Sequence, residues 1–450
     1  MFSPKVETFA NAKVIAMSGK IVATRGMRDF LPTEKTWRER VLSVLRETYT
    51  SLGFMEIETP ALEPIARLQS GQGGENEKMI FQVMRRGLDP QTGILPAEAV
   101  DLGLRYDLTL PLTRYFASHQ AELPNVFRAF QTGPVWRAER PQKGRFRQFN
   151  QVDIDILGEA SFSAEVEIIV TMWNAIGKLG LDKDSTILLN DRRFLRELMK
   201  AAGVADDQHD SAFITLDKLE KIGAEGVIKE LVGQEIATDS QAKALVEAVG
   251  SIAELELDSA VETVQVPSLN TELPLFDLGA IASQVREIAP DIKISFTPTL
   301  VRGMGYYTGP ISEVSHTASG SSICGGGRYD GVVGRWLGRD VPAVGFSFGF
   351  ERIVDLVSLP EVGQQLKVAL AYQKPHEALA ALHLREGLLE AGTSNAGLLK
   401  APRKMSAGFF EQAASLGYNR VPLPSRYLEA AEQADPDFEA LLEQARVLEN

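Results

Sequence analysis

Residues 135–149, VWRAERPQKGRFRQF, are the part of the sequence that decides how this chain folds. Strand-like sequence flanks this stretch at 126–136 and 149–158, which predicts a long β-hairpin whose strands are joined by a polar, arginine-rich loop. Between residues 137 and 147 the loop carries five cations and one anion. Guanidinium groups bind phosphate oxygens bidentately, so the hairpin could hold a polyphosphate; a solvated charged loop is the ordinary alternative.

The second strand of this hairpin has a polar side. Gln151, Asp153 and Asp155 alternate with apolar residues, and successive side chains of a strand point to opposite sides of the sheet. The alternation alone leaves open whether the polar side faces solvent or a pocket.

Three further clusters combine glycine with arginine. Residues 300–309, LVRGMGYYTG, let the backbone approach a ligand while Arg302 reaches toward it; a glycine-kinked strand is the alternative. In residues 324–331, CGGGRYDG, the triple glycine indicates close approach of another segment or a ligand. Residues 345–352, GFSFGFER, predict a strand that leads into a helix carrying Arg352.

The composition is that of a globular chain with several folding units. The sequence has 450 residues, of which 44% are hydrophobic and 24% charged, whereas a single domain typically has roughly 100–200 residues. The formal net charge of −13 argues against a protein that coats nucleic acid indiscriminately but allows a local basic patch. The only cysteine, Cys324, rules out an intrachain disulfide and fits a reducing cytoplasm.

Metal-binding and membrane patterns are missing from the sequence. The five histidines are scattered, so no Cys/His zinc cluster of the usual spacing can be assembled, and we expect no metal site made by protein side chains alone. No apolar run approaches the ~20 residues that span a bilayer. The first twenty residues lack the long apolar stretch of a secretory signal. We therefore predict a cytoplasmic enzyme without membrane contact.

The order of predicted elements favours an α+β fold, because antiparallel hairpins with few intervening helices do not suit a doubly wound parallel sheet. We predict a helix capped by Thr33, a strand at 104–109, and a linker near residue 358. The predicted domains are an N-terminal extension (1–20), a catalytic domain in two parts (21–184 and 291–358), a mainly helical insertion (185–290), and a small C-terminal α/β domain (366–450).

Taken in order, these clusters are similar to the motifs of class II aminoacyl-tRNA synthetases. Residues 25–353 resemble the histidyl-tRNA synthetase family in particular, beginning with RGMRD at 25–29. Glu58-Thr59-Pro60 resembles the end of the first class motif, which lies at a dimer interface. Residues 137–149 resemble the second class motif, and residues 343–352 resemble the third. The blocks at 300–309 and 323–331 resemble the two that distinguish histidyl enzymes from other members of the class.

The resemblance implies a class II antiparallel sheet with flanking helices and a homodimer that activates histidine with ATP and Mg²⁺ and transfers it to tRNA(His). It also implies roles for matching residues. For ATP these are Arg137 (α-phosphate), Arg145 and Arg352 (γ end), Phe149 (stacking on adenine) and Glu139 (adenine amino edge). For histidine they are Asp107, Thr109 and Gln151 (α-ammonium), Asp155 and Tyr307 (imidazole), with Tyr306 in the same set. Arg302 would bridge the histidine carboxylate and the α-phosphate, so Arg302 and Arg137 carry the catalytic roles.

The sequence departs from the family pattern in three places. Gly305 stands where the family has aspartate, and Ser312 stands where it has phenylalanine. The C-terminal unit resembles an anticodon-binding domain whose last strand is replaced by the acidic segment 427–450. Two other functions stay open: a non-catalytic regulatory subunit of ATP phosphoribosyltransferase that senses histidine, and an amino-acid-activating paralogue with another acceptor. The full arginine set and the C-terminal unit favour the ligase over the regulatory subunit.

Overall fold

The structure, a computed structural model, describes residues 21–69, 77–87, 99–141, 144–301, 307–360, 366–433 and 436–448. The predicted extension at 1–20, together with Arg302, Gly305 and Tyr306, lies outside these residues. No helix of the described part is long and apolar enough to cross a membrane.

The strands, in chain order, are β1 (Met55–Ile57), β2 (Leu62–Pro64), β3 (Gln82–Met84), β4 (Val100–Leu104), β5 (Phe127–Trp136), β6 (Gln148–Leu157), β7 (Ser185–Asp191), β8 (Thr263–Val266), β9 (Thr271–Pro274), β10 (Ile294–Phe296), β11 (Pro310–His316), β12 (Cys324–Arg328), β13 (Ala343–Gly349), β14 (Lys367–Tyr372), β15 (Asn395–Lys400), β16 (Arg420–Val421) and β17 (Arg446–Val447).

The α-helices are α1 (Pro32–Ser51), α2 (Ile65–Gln69), α3 (Thr109–His119), α4 (Ser163–Lys178), α5 (Arg192–Ala201), α6 (His209–Leu216), α7 (Leu219–Gly233), α8 (Asp239–Ile252), α9 (Leu278–Ile288), α10 (Asp330–Leu337), α11 (Phe350–Val354), α12 (Pro375–Glu390), α13 (Ala407–Ser415), α14 (Pro424–Ala431) and α15 (Phe438–Glu443). Short 3₁₀ turns lie at Glu77–Met79, Asp182–Asp184, Asp206–Gln208 and Pro267–Leu269.

A large mixed sheet forms the body, with strand order β1-β5-β6-β13-β12-β11-β7-β10. Its pairs are antiparallel except at the two edges, where β1–β5 and β10–β7 are parallel. The predicted hairpin is present, because β5 pairs with β6 from Phe127↔Leu157 to Trp136↔Gln148. The predicted α+β class and the antiparallel sheet are confirmed.

The apolar side of β6 joins the main core. Ile154 and Ile156 are fully buried and pack in the same cluster as Leu45 of α1 and Ile169 of α4. Burying an aliphatic side chain contributes roughly 1.5–3 kcal/mol. This packing fixes which side of β6 faces the helices and leaves its polar side for the site.

Two local predictions were wrong. The strand expected at 104–109 does not form: β4 ends at Leu104, and α3 begins at Thr109. Asp107 Oδ1 accepts a hydrogen bond from the Leu110 N–H (3.1 Å), so this side chain satisfies a donor in the first helical turn. Thr33 does not cap α1, which begins at Pro32; its hydroxyl donates to the carbonyl of Ser415 (2.6 Å).

The predicted insertion at 185–290 is mostly helical, with a separate two-stranded sheet of β8 and β9. Its first segment, β7, pairs with β11 and β10 inside the large sheet. The strand therefore extends the catalytic sheet, and the helices follow from Arg192 onward. The boundaries of the five predicted domains stay a prediction.

The C-terminal unit has its own four-stranded sheet, ordered β15-β14-β16-β17. Strands β15 and β16 lie parallel to β14, as expected of an α/β unit, and two apolar clusters cover its two sides. The prediction that the acidic segment 427–450 replaces the last strand is wrong, because β17 lies in this segment and pairs antiparallel with β16.

Candidate active site

A cavity of about 500 Å³ lies against the large sheet. Most of the predicted site residues line it: Asp107, Thr109, Arg137, Glu139, Arg145, Phe149, Gln151, Tyr307 and Arg352. Asp155 is not among the described lining residues and is buried in β6. The predicted roles of Arg302 and Tyr306 concern residues outside the described part of the chain.

Three arginines contribute cations to this cavity: Arg137 and Arg145 come from the hairpin loop, and Arg352 comes from α11, about 200 residues later in the sequence. The Arg137 Nε donates to the Tyr106 carbonyl (3.0 Å), and its guanidinium carbon lies 5.0 Å from the centre of the Phe149 ring. Arg145 is 61% exposed and lies 3.8 Å from a Glu139 carboxylate oxygen. Arg352 donates to the Ser322 carbonyl. Guanidinium groups converging on one cavity can bind several phosphate oxygens.

Backbone hydrogen bonds hold the end of the hairpin in place. The Arg147 N–H donates to the Gly26 carbonyl (2.7 Å), and the Arg137 N–H donates to the Arg147 carbonyl (2.8 Å). The Arg147 Nε also donates to the Glu139 carbonyl (3.0 Å). These bonds connect the start of the described chain to the hairpin, whose loop carries Arg137 and Arg145 and whose second strand carries Phe149.

Glu351 anchors the last arginine-bearing segment. It accepts two hydrogen bonds from Arg38 of α1 (2.6 and 2.8 Å), one from Arg28 (2.8 Å) and one from the Asn150 N–H (3.1 Å). Burial disfavours the charged carboxylate, but these donors and the two guanidinium charges hold the pKa of Glu351 below its ordinary value. The network fixes the first turn of α11 and therefore positions Arg352, the next residue along the helix.

Two buried aspartates, Asp153 and Asp155, and the half-buried Asp107 lie at or beneath the cavity. Burial raises the pKa of Asp107 to about 6, although the Leu110 N–H and the Arg137 charge oppose the rise. Burial also raises the pKa of Asp155 to about 7; a hydrogen bond from the Tyr329 hydroxyl (2.5 Å) opposes this rise and Asp107 adds to it. Burial, followed by the Asp155 charge, raises the pKa of Asp153. A cationic ligand group would relieve this crowding of carboxylates.

The amide of Gln151 has a fixed orientation. Its Nε2 donates to the Ser347 hydroxyl (2.8 Å), and that hydroxyl donates to Asp153 Oδ1. The Oε1 atom of Gln151 is buried and has no hydrogen-bond partner. The site therefore presents an acceptor that only a bound molecule or water can satisfy.

Glycines on β12 and β13 make room for this arrangement. A Cβ atom at Gly345 would lie 1.8 Å from Asp155 Oδ1, and one at Gly326 would lie 1.9 Å from the Gly345 carbonyl oxygen. The sequence predicted that another segment or a ligand comes close to the triple glycine. In the structure, the segments that come close are neighbouring strands of the same sheet.

Sequence reasoning assigned no role to several cavity residues, including Ser347, Glu351, Ser322 and Met79. Two of them carried a signal: Ser347 alternates with apolar residues in GFSFGFER, and Glu351 directly precedes Arg352. Ser322 and Met79 enter the cavity through tertiary contacts that no local pattern predicts. Within the described residues, no group of three or more His, Cys, Asp or Glu side chains could hold a metal ion.

Comparisons with known proteins identify the family of this chain. The family profile described as histidyl-tRNA synthetase matches residues 26–353. A histidine–tRNA ligase of Leifsonia xyli subsp. xyli is 48% identical over 388 residues, which cover 84% of this chain and 89% of the relative. A probable histidine–tRNA ligase of Tropheryma whipplei (strain Twist) is 44% identical, covering 75% of this chain and 80% of the relative.

A solved histidyl-tRNA synthetase from Nostoc sp. PCC 7120 superposes with a TM-score of 0.66 at 26% identity, covering 89% of this chain and 90% of that one. A Bacillus halodurans structure, titled as an ATP phosphoribosyltransferase regulatory subunit/histidyl-tRNA synthetase, gives a TM-score of 0.68 at 20% identity, covering 90% and 97%; it shows the shared fold alone. The profile match and the sequence identity to these relatives assign the chain to one family, and the fold agrees with that assignment. The chain therefore belongs to the histidyl-tRNA synthetase family.

Proposed function

We propose that this chain is a histidine–tRNA ligase, which activates histidine with ATP to histidyl-adenylate and transfers the histidyl group to tRNA(His). The observation that carries the proposal is the single cavity lined both by Arg137, Arg145 and Arg352 and by the acidic and amide groups of Asp107 and Gln151. A polyanion and a cationic amino acid require such a mixed lining.

The nucleotide would use the arginine-bearing residues. Arg137 would contact the α-phosphate, and Arg145 and Arg352 the γ end, with Mg²⁺ entering as part of the Mg²⁺–ATP substrate and bridging its phosphates. Phe149 would stack on adenine, and Glu139 would accept from its amino group. The 5.0 Å distance between the Arg137 guanidinium and the Phe149 ring supports one nucleotide contacting both.

Histidine would use the acidic side of the cavity. Its α-ammonium would contact Asp107, Thr109 and Gln151, and its imidazole would contact Asp155 and Tyr307, with Tyr306 nearby. A cationic group bound beside Asp107 and Asp155 would lower their raised pKa values, because its charge stabilises the ionised carboxylates that burial disfavours. A pocket that hydrogen-bonds both ring nitrogens would reject apolar isosteres, since its polar groups would stay unpaired.

The first step joins two anions. A histidine carboxylate oxygen attacks the α-phosphorus, the bond to the bridging oxygen breaks, and pyrophosphate leaves with that electron pair. Two unit charges ~4 Å apart interact by about 4 kcal/mol at an effective dielectric of 20, so arginine charges that offset the repulsion contribute directly to the rate. Arg302 would bridge the carboxylate and the α-phosphate, and Arg137 would stabilise the charge that develops on the phosphate.

The second step attaches histidine to RNA. A hydroxyl of the terminal tRNA ribose attacks the carbonyl carbon of the adenylate, and AMP leaves. We propose the C-terminal unit as the tRNA-binding part, a homodimer as the active assembly, and the cytoplasm as the location. The homodimer proposal derives from the similarity of Glu58-Thr59-Pro60 to the first class motif.

The regulatory-subunit alternative is not favoured, because the relatives at 44–48% identity are named as histidine–tRNA ligases. The deciding experiment is histidine-dependent ATP–pyrophosphate exchange followed by charging of tRNA(His), with Arg302→Ala as the variant. We expect the parent protein to perform both reactions and the variant to lose exchange. A parent without exchange would contradict the proposal, and exchange without charging would favour the paralogue.

A further inference from the structure

The amide of Gln151 donates to the Ser347 hydroxyl, which in turn donates to Asp153. Ser347 lies on β13 directly opposite Asp153 of β6 in the sheet register, and Gln151 lies two residues before Asp153 on the same strand. The three side chains form a short chain of hydrogen bonds from the cavity into the sheet. Asp153, at its inner end, is 3% exposed.

The chain of bonds has one direction. The Ser347 hydroxyl has a single hydrogen, which it donates to Asp153 Oδ1. Its oxygen can then only accept from Gln151, and Gln151 satisfies it with Nε2 at 2.8 Å. The other end of the amide, Oε1, is consequently an acceptor, and it is buried without a partner in a side chain that lines the cavity.

An unpartnered buried acceptor costs free energy, because it has lost its hydrogen bonds to water. The cost is recovered when a ligand donates an N–H to Oε1. The reversed amide would present two donors to the cavity and would repel an ammonium group.

We propose that Ser347 and Asp153 are positioning residues that fix the Gln151 amide with its carbonyl oxygen toward the substrate, so that the site selects amino acids by their free α-ammonium. The inference depends on the proposed function, since it takes histidine as the ligand of this cavity. Ser347 contacts the cavity but acts through Gln151; Asp153 acts through Ser347.

The test compares Ser347→Ala with the parent in histidine-dependent ATP–pyrophosphate exchange. The KM for histidine should rise about tenfold, the loss expected for one misplaced hydrogen bond to a charged group, while the KM for ATP changes less than twofold. Inhibition by imidazolepropionate, which has the ring and the carboxylate but lacks the ammonium, should change less than twofold. Ser347→Thr keeps the hydroxyl and should stay close to the parent.

Two controls separate positioning from general damage. Ser185→Ala removes a fully buried serine of β7 in the same sheet, whose hydroxyl donates to the Leu181 carbonyl (2.7 Å), and should change neither KM. In a Gln151→Ala background, Ser347→Ala should add no further rise in the KM for histidine, because the amide that it orients is gone.

The inference is overturned if Ser347→Ala leaves the KM for histidine within twofold of the parent, or if it weakens histidine and imidazolepropionate equally. A parent protein without histidine-dependent exchange would instead overturn the proposed function. Exchange in the parent together with an unaffected Ser347→Ala variant would contradict the positioning role alone.

Discussion

Two strands with neighbours on both sides, β6 of the large sheet and β14 of the C-terminal sheet, each bury apolar residues on one side but differ in what they bury on the other. Strand β14 buries Val368, Ala369, Leu370 and Ala371. Strand β6 buries Gln151, Asp153 and Asp155 on its polar side. Polar groups in an interior cost free energy unless they are paired, so their presence in β6 indicates a ligand site, whereas β14 serves as a scaffold.

The two regions also differ in where their positively charged side chains lie. Arg137 and Arg352 are half-buried and line the cavity beside the large sheet, whereas Lys400, Arg403 and Lys404 of the C-terminal unit are exposed at its surface. Half-buried cations that line one cavity suit a small polyanion, which several side chains can contact at once. Exposed cations suit the backbone of a large nucleic acid, whose phosphates are contacted from one side.

The largest expected effect tests this difference with matched arginines. Arg137→Ala should lower kcat/KM for ATP–pyrophosphate exchange by about a thousandfold, or about 4 kcal/mol, because it removes a cation aimed at developing charge. Arg403→Ala removes an exposed arginine of the C-terminal unit and should leave exchange within twofold of the parent. Equal effects of the two substitutions on exchange would contradict the proposal that the cavity, and not the C-terminal unit, binds ATP.

The second effect is the pH dependence of stability. The pKa of Asp155 is about 7 when folded, against an ordinary value near 3.9. The folded state therefore binds more protons between those values, and the free energy of unfolding falls as the pH rises through this window, by up to about 4 kcal/mol. Asp155→Asn should flatten the dependence between pH 4 and pH 7 in urea denaturation. An unchanged slope in the variant would contradict the burial argument.

The third effect compares one glycine from each region. A Cβ at Gly326 meets the Gly345 carbonyl oxygen at 1.9 Å, which is backbone, whereas a Cβ at Gly397 meets the hydroxyl of Tyr418 at 2.1 Å, the end of a movable side chain. Gly326→Ala should cost about 3 kcal/mol and Gly397→Ala under about 1 kcal/mol. Urea denaturation monitored by circular dichroism gives both values, and a larger cost at Gly397 would reverse the comparison.

The smallest expected effect comes from removing the C-terminal unit from the body that holds the cavity. A protein truncated after Pro360 should keep histidine-dependent exchange, because the described cavity residues all precede the cut. Its charging of tRNA(His) should fall about tenfold, or about 1.4 kcal/mol. Circular dichroism of the truncated protein verifies that the body is folded. Unchanged charging would count against a tRNA-binding role for the C-terminal unit.

Sequence reasoning predicted what depends on local pattern. Alternation along 149–158 and the arginine-rich loop identified the hairpin and its polar side, and the order of the motifs indicated the class of sheet. Alternation failed at 104–109, because Asp107 satisfies the first turn of α3 and so ends the extended backbone. The contact between Ser347 and Asp153 was invisible, since it depends on the register of two strands 194 residues apart.

That separation has a consequence for synthesis of the chain. Strand β6 is complete at Leu157, but its partner β13 is complete only at Gly349. At about 5–20 residues per second the ribosome needs roughly 10–40 s to make the intervening chain. During this interval the nascent hairpin has an unpaired edge and a row of aspartates without their serine and tyrosine partners. We therefore expect the cavity to be completed late in folding, and the unpaired edge of the nascent hairpin to be open to aggregation until β13 pairs with it.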